Sequence, residues 1–250
     1  MLKLVDVTKA FGGVLATSHV SVEFAAGSLS AVIGPNGAGK TTLFNLISGK
    51  LKPDSGQILL DGQDITGLPA TAIVKRGIVR AFQVSSIFPT LTVRQSLEAA
   101  VLAHRGRLRD MVRAFSQSGA RERASELMEL LGMQDRADTL SRHLPHGDQK
   151  LLDIGLALAL EPQVLLLDEP TAGMGPDERV QMIERVHALW QRQRITIVFI
   201  EHDMDIVFAH AQMIRVLHYG ALLAEGTPDE IRNNQDVIDV YLGTGFEAAT

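Results

Sequence analysis

The chain has 250 residues, no cysteine, 29 acidic against 24 basic side chains and a net charge of −5. A chain of this length forms one large domain or two small ones and buries enough surface to fold without a covalent staple. The lack of cysteine excludes a disulfide framework, thiolate zinc sites and thiol catalysis and fits a reducing compartment, and the acidic balance argues against nucleic acid as the main partner.

The first 25 residues, MLKLVDVTKAFGGVLATSHVSVEFA, lack the basic start, continuous apolar core and cleavage site of a secretion signal. No stretch approaches 18 uninterrupted apolar residues, so a soluble protein is expected, reaching a membrane only by docking on something embedded there. Val20, Val22 and Phe24 alternate with Ser21 and Glu23, the period of a half-buried strand. LSAVI (29–33), GIVRAF (77–82), VLLL (164–167) and ITIVFI (195–200) differ in kind. They are nearly continuous apolar runs, as expected for central strands covered on both faces.

Helical patterns separate these runs. Leu43, Leu46 and Ile47 lie on a helix closed by Ser48 and Gly49; Ile183, Val186, Leu189 and Trp190 mark another; Met204, Val207, Phe208 and Ala211 a third. Strands alternating with helices predict a parallel α/β sheet. From about 92 to 160 the pattern is wholly helical, with a capping box at Thr92 and Gln95 and a helix over 126–131 ending at Gly132. This stretch is expected to be a helical subdomain inserted in an α/β core. Arg105, Arg107, Arg109 and Arg113 fall on its exposed linker as a solvated face.

Directly after LSAVI comes GPNGAGKTT (34–42), a match to G-x-x-x-x-G-K-[ST] that leads into a helix. Glycines let backbone N–H groups wrap phosphate oxygens, and the helix N-terminus adds a favourable dipole. Gly34, Pro35, Asn36, Gly37, Ala38, Gly39, Lys40, Thr41 and Thr42 are therefore candidate nucleotide-binding residues. Lys40 can reach the β- and γ-phosphates, and the Thr41 hydroxyl can ligate magnesium.

A second signal is VLLLDEP (164–170), where two acids end a buried strand. Carboxylates taken out of water need a cation or donors, and magnesium held with phosphates would supply one. Asp168 is assigned to the metal and Glu169 to polarising the attacking water. Gln83 follows GIVRAF and His202 follows ITIVFI, so four polar sites lie at the carboxyl ends of four predicted strands. That edge of an open α/β sheet is where ligands bind. His202 can donate from one ring nitrogen and accept at the other, which suits contact with a γ-phosphate or its attacking water.

Taken together these motifs resemble an ATP-binding cassette (ABC) ATPase over nearly the whole chain. Walker A (34–42), the Q-loop glutamine Gln83, a signature segment (144–149), Walker B with its glutamate (164–169) and the switch histidine His202 occur in the family's order. The resemblance implies a P-loop NTPase core with an N-terminal antiparallel β subdomain and an inserted helical subdomain. It implies one domain over 1–250, its core at 1–84 and 152–250 and the helical part at about 85–151. It further implies ATP and Mg2+ as cofactors, with Thr41, Gln83 and Asp168 on the metal, Lys40, Gln83, Glu169 and His202 in hydrolysis, and Phe11 stacked on adenine. A core role is the other reading of Phe11.

HLPHGDQK (143–150) sits where the family carries LSGGQ, at the start of a helix facing the γ-phosphate bound by an opposite subunit. By resemblance it is half of a site, with Leu144, His146 and Gly147 as the contacts; a metal site on His143 and His146 lacks further ligands in the segment. Pro145 brings neither hydroxyl nor N–H, and Asp148 favours the helix dipole but repels phosphate. TAGMGP (171–176) replaces the SALD-type loop that communicates between sites, with Gly175 at the aspartate position.

GIVRAFQ (77–83), the LPHG-type signature, DEPTAGMGPDE (168–178) and YLGTG (241–245) resemble the ATPases of branched-chain amino acid, amide and urea importers. Such systems pair two ATPase subunits, identical or not, with two membrane permease subunits at the cytoplasmic face of the inner membrane and, indirectly, a periplasmic binding protein. Ile87, Phe88 and Leu91 are candidates for docking on a permease or for seating the helical subdomain. The alternatives are the ATPase of a lipid or lipopolysaccharide exporter and a soluble ABC ATPase outside transport.

Overall fold

The computed structural model describes residues 1–81, 88–105 and 119–242. In chain order its elements are β1 (Leu2–Phe11), β2 (Val14–Phe24), β3 (Leu29–Ile33), α1 (Lys40–Ile47), β4 (Ser55–Leu60), β5 (Gln63–Asp64), α2 (Ala70–Lys75) and β6 (Ile78–Ala81). Then follow α3 (Val93–His104), α4 (Ala120–Leu131), α5 (His146–Leu158), β7 (Val164–Asp168), α6 (Pro176–Gln193) and β8 (Thr196–Ile200). The chain continues through α7 (Met204–His210), β9 (Met213–His218), β10 (Ala221–Gly226), α8 (Pro228–Arg232) and α9 (Gln235–Leu242).

Two sheets divide the strands. An antiparallel sheet runs β2-β1-β4-β5, and a second runs β10-β9-β3-β8-β7-β6, parallel except for the β9–β10 hairpin. This is the P-loop α/β architecture with an antiparallel β part that the sequence implies. All five residues of β3, β7 and β8 are buried, which is why those runs read as continuously apolar. In β2, by contrast, Val20, Val22 and Phe24 face a core while Ser21 and Glu23 face out.

Strand alternation sorts the parallel sheet between two cores. Leu166, Val198 and Ile200 pack with Phe44 of α1 and with Leu4 and Val22 of the antiparallel sheet. Leu165, Leu167 and Phe199 pack on the other face with Leu97, Leu127, Leu152 and Ile183. The helices α3, α4 and α5 pack on one another beside this second core.

Local signals hold where they were expected. Thr92 Oγ1 accepts from the Gln95 N–H at 3.2 Å while Gln95 Oε1 accepts from the Thr92 N–H at 3.0 Å, an arrangement worth about 1 kcal/mol. Gly132 closes α4 in the left-handed conformation at φ 65°, and Thr227 with Glu230 opens α8 by the same reciprocal capping. The Trp190 indole N–H, not anticipated, donates to the Gly27 carbonyl at 2.7 Å and fastens α6 to the turn before β3. Among the described residues no helix is long and apolar enough to cross a membrane.

Candidate functional site

The register of the parallel sheet assembles the site. Val32 pairs with Ile200, and Ile200 with Asp168, so β3, β8 and β7 end on one row. Gly34, His202 and Glu169 then follow within two residues of that row. A cavity of about 220 Å³ opens there, lined by Ala16, residues 36–42, Glu169 and His202. A larger hollow of about 590 Å³ beside Gly27, Trp190 and Arg194 lies at the amino ends of β3 and β8, away from every motif. The carboxyl-end cavity is the one with convergent chemistry.

The phosphate loop owes its path to glycine. Gly34 lies at φ 148°, where a Cβ would stand 2.2 Å from the Leu217 carbonyl oxygen; Gly39 lies at φ 99°, where one would stand 2.2 Å from that of Ala16. No larger residue fits either position. Gly39 then starts α1 without a side-chain cap, so the N–H groups of the first turn face the cavity mouth. Lys40 is 7% exposed, and its Nζ donates to the Gly34 and Pro35 carbonyls at 2.6 and 3.1 Å. Burial draws its pKa below the ordinary lysine value, opposed by the carboxylates of Glu169 and Asp168.

Asp168 ends β7, buried, and is ion-paired with Arg80 of β6. Arg80 also donates to Asn45 Oδ1 of α1 at 2.7 Å. The sequence reading named magnesium as a cation for Asp168; the chain also supplies one of its own. Arg80 is in register with Leu166, so Asp168, two residues on, shares its face of the sheet.

Glu169 takes φ 50°, unusual for a residue with a side chain. Its N–H donates to the Ile200 carbonyl at 3.0 Å, and its own carbonyl accepts from Lys150 Nζ of α5 at 2.9 Å. The carboxylate Oε1 stands 3.0 Å from His202 Nε2. Glu201, buried beside His202, accepts from the Thr171 N–H and hydroxyl at 2.8 and 2.7 Å and so ties the loop after β7 to the end of β8. Arg80, Lys150 and Glu201 were missed because their roles depend on which strands and helices become neighbours.

Thr41 and Thr42 line the cavity from the first turn of α1. Among the described residues no three His, Asp or Glu side chains cluster into a closed metal cage. The Thr41 hydroxyl and Asp168 carboxylate are instead a sparse set of hard oxygen donors, which fits a magnesium ion that takes most of its ligands from phosphate and water.

Other expected residues lie elsewhere. Phe11 is 47% exposed at the end of β1, with Lys9 Nζ 5.6 Å from its ring centroid, which removes the core reading; it does not line the cavity, whereas Ala16 nearby does. Gln83 and Ile87 lie outside the described residues, as do Arg107, Arg109 and Arg113. Leu144 is buried and its carbonyl accepts from Gln149 Nε2 at 2.9 Å, so its side chain belongs to the core. His146 is exposed, and its ring abuts Gly173. Gly147 and Pro145 line a hollow with Met174 that is separate from the phosphate-loop cavity. Asp148 Oδ2 lies 3.6 Å from Arg136 Nε, which offsets its charge. At the C-terminal end, burial pushes the pKa of the Tyr241 hydroxyl of α9 up to about 12, against the opposing pull of the Gly34 backbone.

A glycine loop between a buried strand and a helix, with two acids and a histidine at the ends of adjacent parallel strands, defines a phosphate-loop nucleotide-binding protein. The ABC transporter model matches residues 17–172, and a model described as branched-chain amino acid ATP-binding cassette transporter matches residues 221–247. The chain is 40% identical over 241 residues to the high-affinity branched-chain amino acid transport ATP-binding protein LivG of Escherichia coli (strain K12), covering 93% of this chain and 94% of that one. It is 36% identical over 249 residues to the similarly described BraF of Pseudomonas aeruginosa, covering 97% and 98%. A solved ATP-binding cassette of an ABC transporter in its ADP conformation superposes with a TM-score of 0.83 at 29% identity, covering 97% and 98%. The chain belongs to the ABC transporter family as one of its nucleotide-binding ATPases.

Proposed function

We propose that this chain is the ATP-hydrolysing subunit that energises import of branched-chain amino acids or related amides or urea. The observation that carries the substrate class is the similarity to LivG over nearly the full length of both chains, joined by the match at residues 221–247. In this reading the loop N–H groups and Lys40 hold the β- and γ-phosphates, with the Lys40 ammonium exchanging its carbonyl partners for phosphate oxygens. Phe11 offers adenine an exposed ring. Thr41, Asp168 and, by resemblance, Gln83 hold magnesium, which when bound neutralises phosphate charge. Glu169 takes the proton of the attacking water, and His202 orients that water and the γ-phosphate.

The chain acts as one ABC domain, in a dimer whose members each lend the helix start at 146 to the other's nucleotide. Pro145 withholds two hydrogen bonds that a serine there would supply. In a Glu169→Gln background, adding Pro145→Ser is therefore expected to tighten ATP-driven dimerisation about tenfold or more, since a bond to a charged phosphate is worth about 1.5–3 kcal/mol. Light scattering across a protein dilution series measures it; unchanged dimerisation counts against the contact.

Two permease subunits hold the dimer at the cytoplasmic face of the inner membrane and receive substrate from a periplasmic binding protein. An apolar hollow of about 490 Å³ formed by Val79, Ala99, Ala100, Ala103 and Leu156 beside the half-exposed Phe88 supports this docking. Phe88→Asp tests the whole reading: with co-expressed permeases it is expected to keep basal ATPase activity, lose co-purification in mild detergent and abolish uptake of labelled leucine. Loss of ATPase activity as well would assign Phe88 to the core, and retained uptake would refute the docking.

A further inference from the structure

Lys150 lies one helical turn beyond His146 on α5 and is 4% exposed. A buried ammonium needs anions or acceptors around it. Glu201, Glu169 and Asp153 are the carboxylates whose fields oppose its desolvation, and its hydrogen bond goes to the carbonyl of Glu169 at 2.9 Å. The Glu169 backbone is thus gripped on both sides, by Lys150 at its carbonyl and by Ile200 at its N–H, in a left-handed conformation that its neighbours must maintain. The direction of the carboxylate toward His202 follows from that backbone.

We propose that Lys150 is a positioning residue for hydrolysis, linking the start of α5 to the general base of the same chain. The inference rests on the reading of Glu169 as general base and of α5 as the helix that meets a second copy's nucleotide. It follows that α5 seated on that nucleotide sets the peptide of Glu169 through one side chain. Each copy then fires its own site when its signature helix is engaged.

The test compares Lys150→Met and Lys150→Arg, each alone and combined with Glu169→Gln, using ATP itself. Lys150→Met is expected to leave the ATP Kd within about twofold and dimerisation by light scattering intact, while kcat falls at least tenfold; Lys150→Arg recovers kcat to within about threefold. In single turnover, Lys150→Met added to Glu169→Gln is expected to cost nothing further, because two changes acting through one group are not additive. An unchanged kcat in Lys150→Met, or the same fractional loss in both backgrounds, overturns the proposal. Should Lys150→Met not fold, Lys150→Gln takes its place under the same criteria, and a failure of both to fold assigns Lys150 to stability and overturns the proposal too. A wild-type protein that hydrolyses no ATP would instead sink the reading on which the inference rests.

Discussion

Replacing Glu169 by Gln is expected to lower kcat by at least about 100-fold while leaving ATP binding within a few-fold of wild type. The carboxylate is at the cavity wall, 3.0 Å from His202 Nε2, where it can accept a proton from water beside the phosphate loop. Glutamine keeps the size and one hydrogen-bonding oxygen but not the basicity. The contacts that hold position 169 in its left-handed conformation are made by the backbone, to Ile200 and Lys150, and survive the change. The variant should therefore fold, bind ATP and accumulate as an ATP-bound dimer. Phosphate release and equilibrium ATP binding, measured on one preparation, check the expectation. Equal turnover in the variant would remove Glu169 from the chemistry.

Much of this site was legible in the sequence because its strands are buried on both faces. LSAVI, VLLL and ITIVFI announce themselves as central strands, and a polar residue just beyond such a run marks the ligand edge. The glycines at 34 and 39 were legible from the spacing G-x-x-x-x-G-K-[ST], and the fold gives the reason for it: a Cβ at either would stand 2.2 Å from a carbonyl oxygen. Pairwise contacts between distant segments were not. Arg80 reads as an interruption in GIVRAF until β6 is set beside β7, and only then does it face Asp168. Lys150 reads as a polar residue early in a helix until α5 is laid against the end of β7. Glu201 stands next to a residue singled out in the sequence, yet its partner Thr171 is 30 positions away. Leu144 shows the converse limit, since matching a motif position did not put its side chain at the surface.

The second large effect belongs to Lys40. Its ammonium is buried in the loop, held by two carbonyls and facing the fields of Asp168 and Glu169, so phosphate oxygens arriving there gain a desolvated cation. Alanine at 40 keeps the helix, as the best helix former, and leaves the backbone N–H groups of the loop in place. What is lost is the charge. ATP affinity should fall about tenfold or more and hydrolysis at least about 100-fold, since removing one preorganised donor to developing charge costs that much. Titrating wild type and Lys40→Ala with a fluorescent ATP analogue, with phosphate release followed in parallel, measures most directly whether a triphosphate rests at this rim of the sheet. Weakened binding together with lost turnover is the predicted result; a Lys40→Ala protein that binds and hydrolyses ATP like wild type would contradict the account.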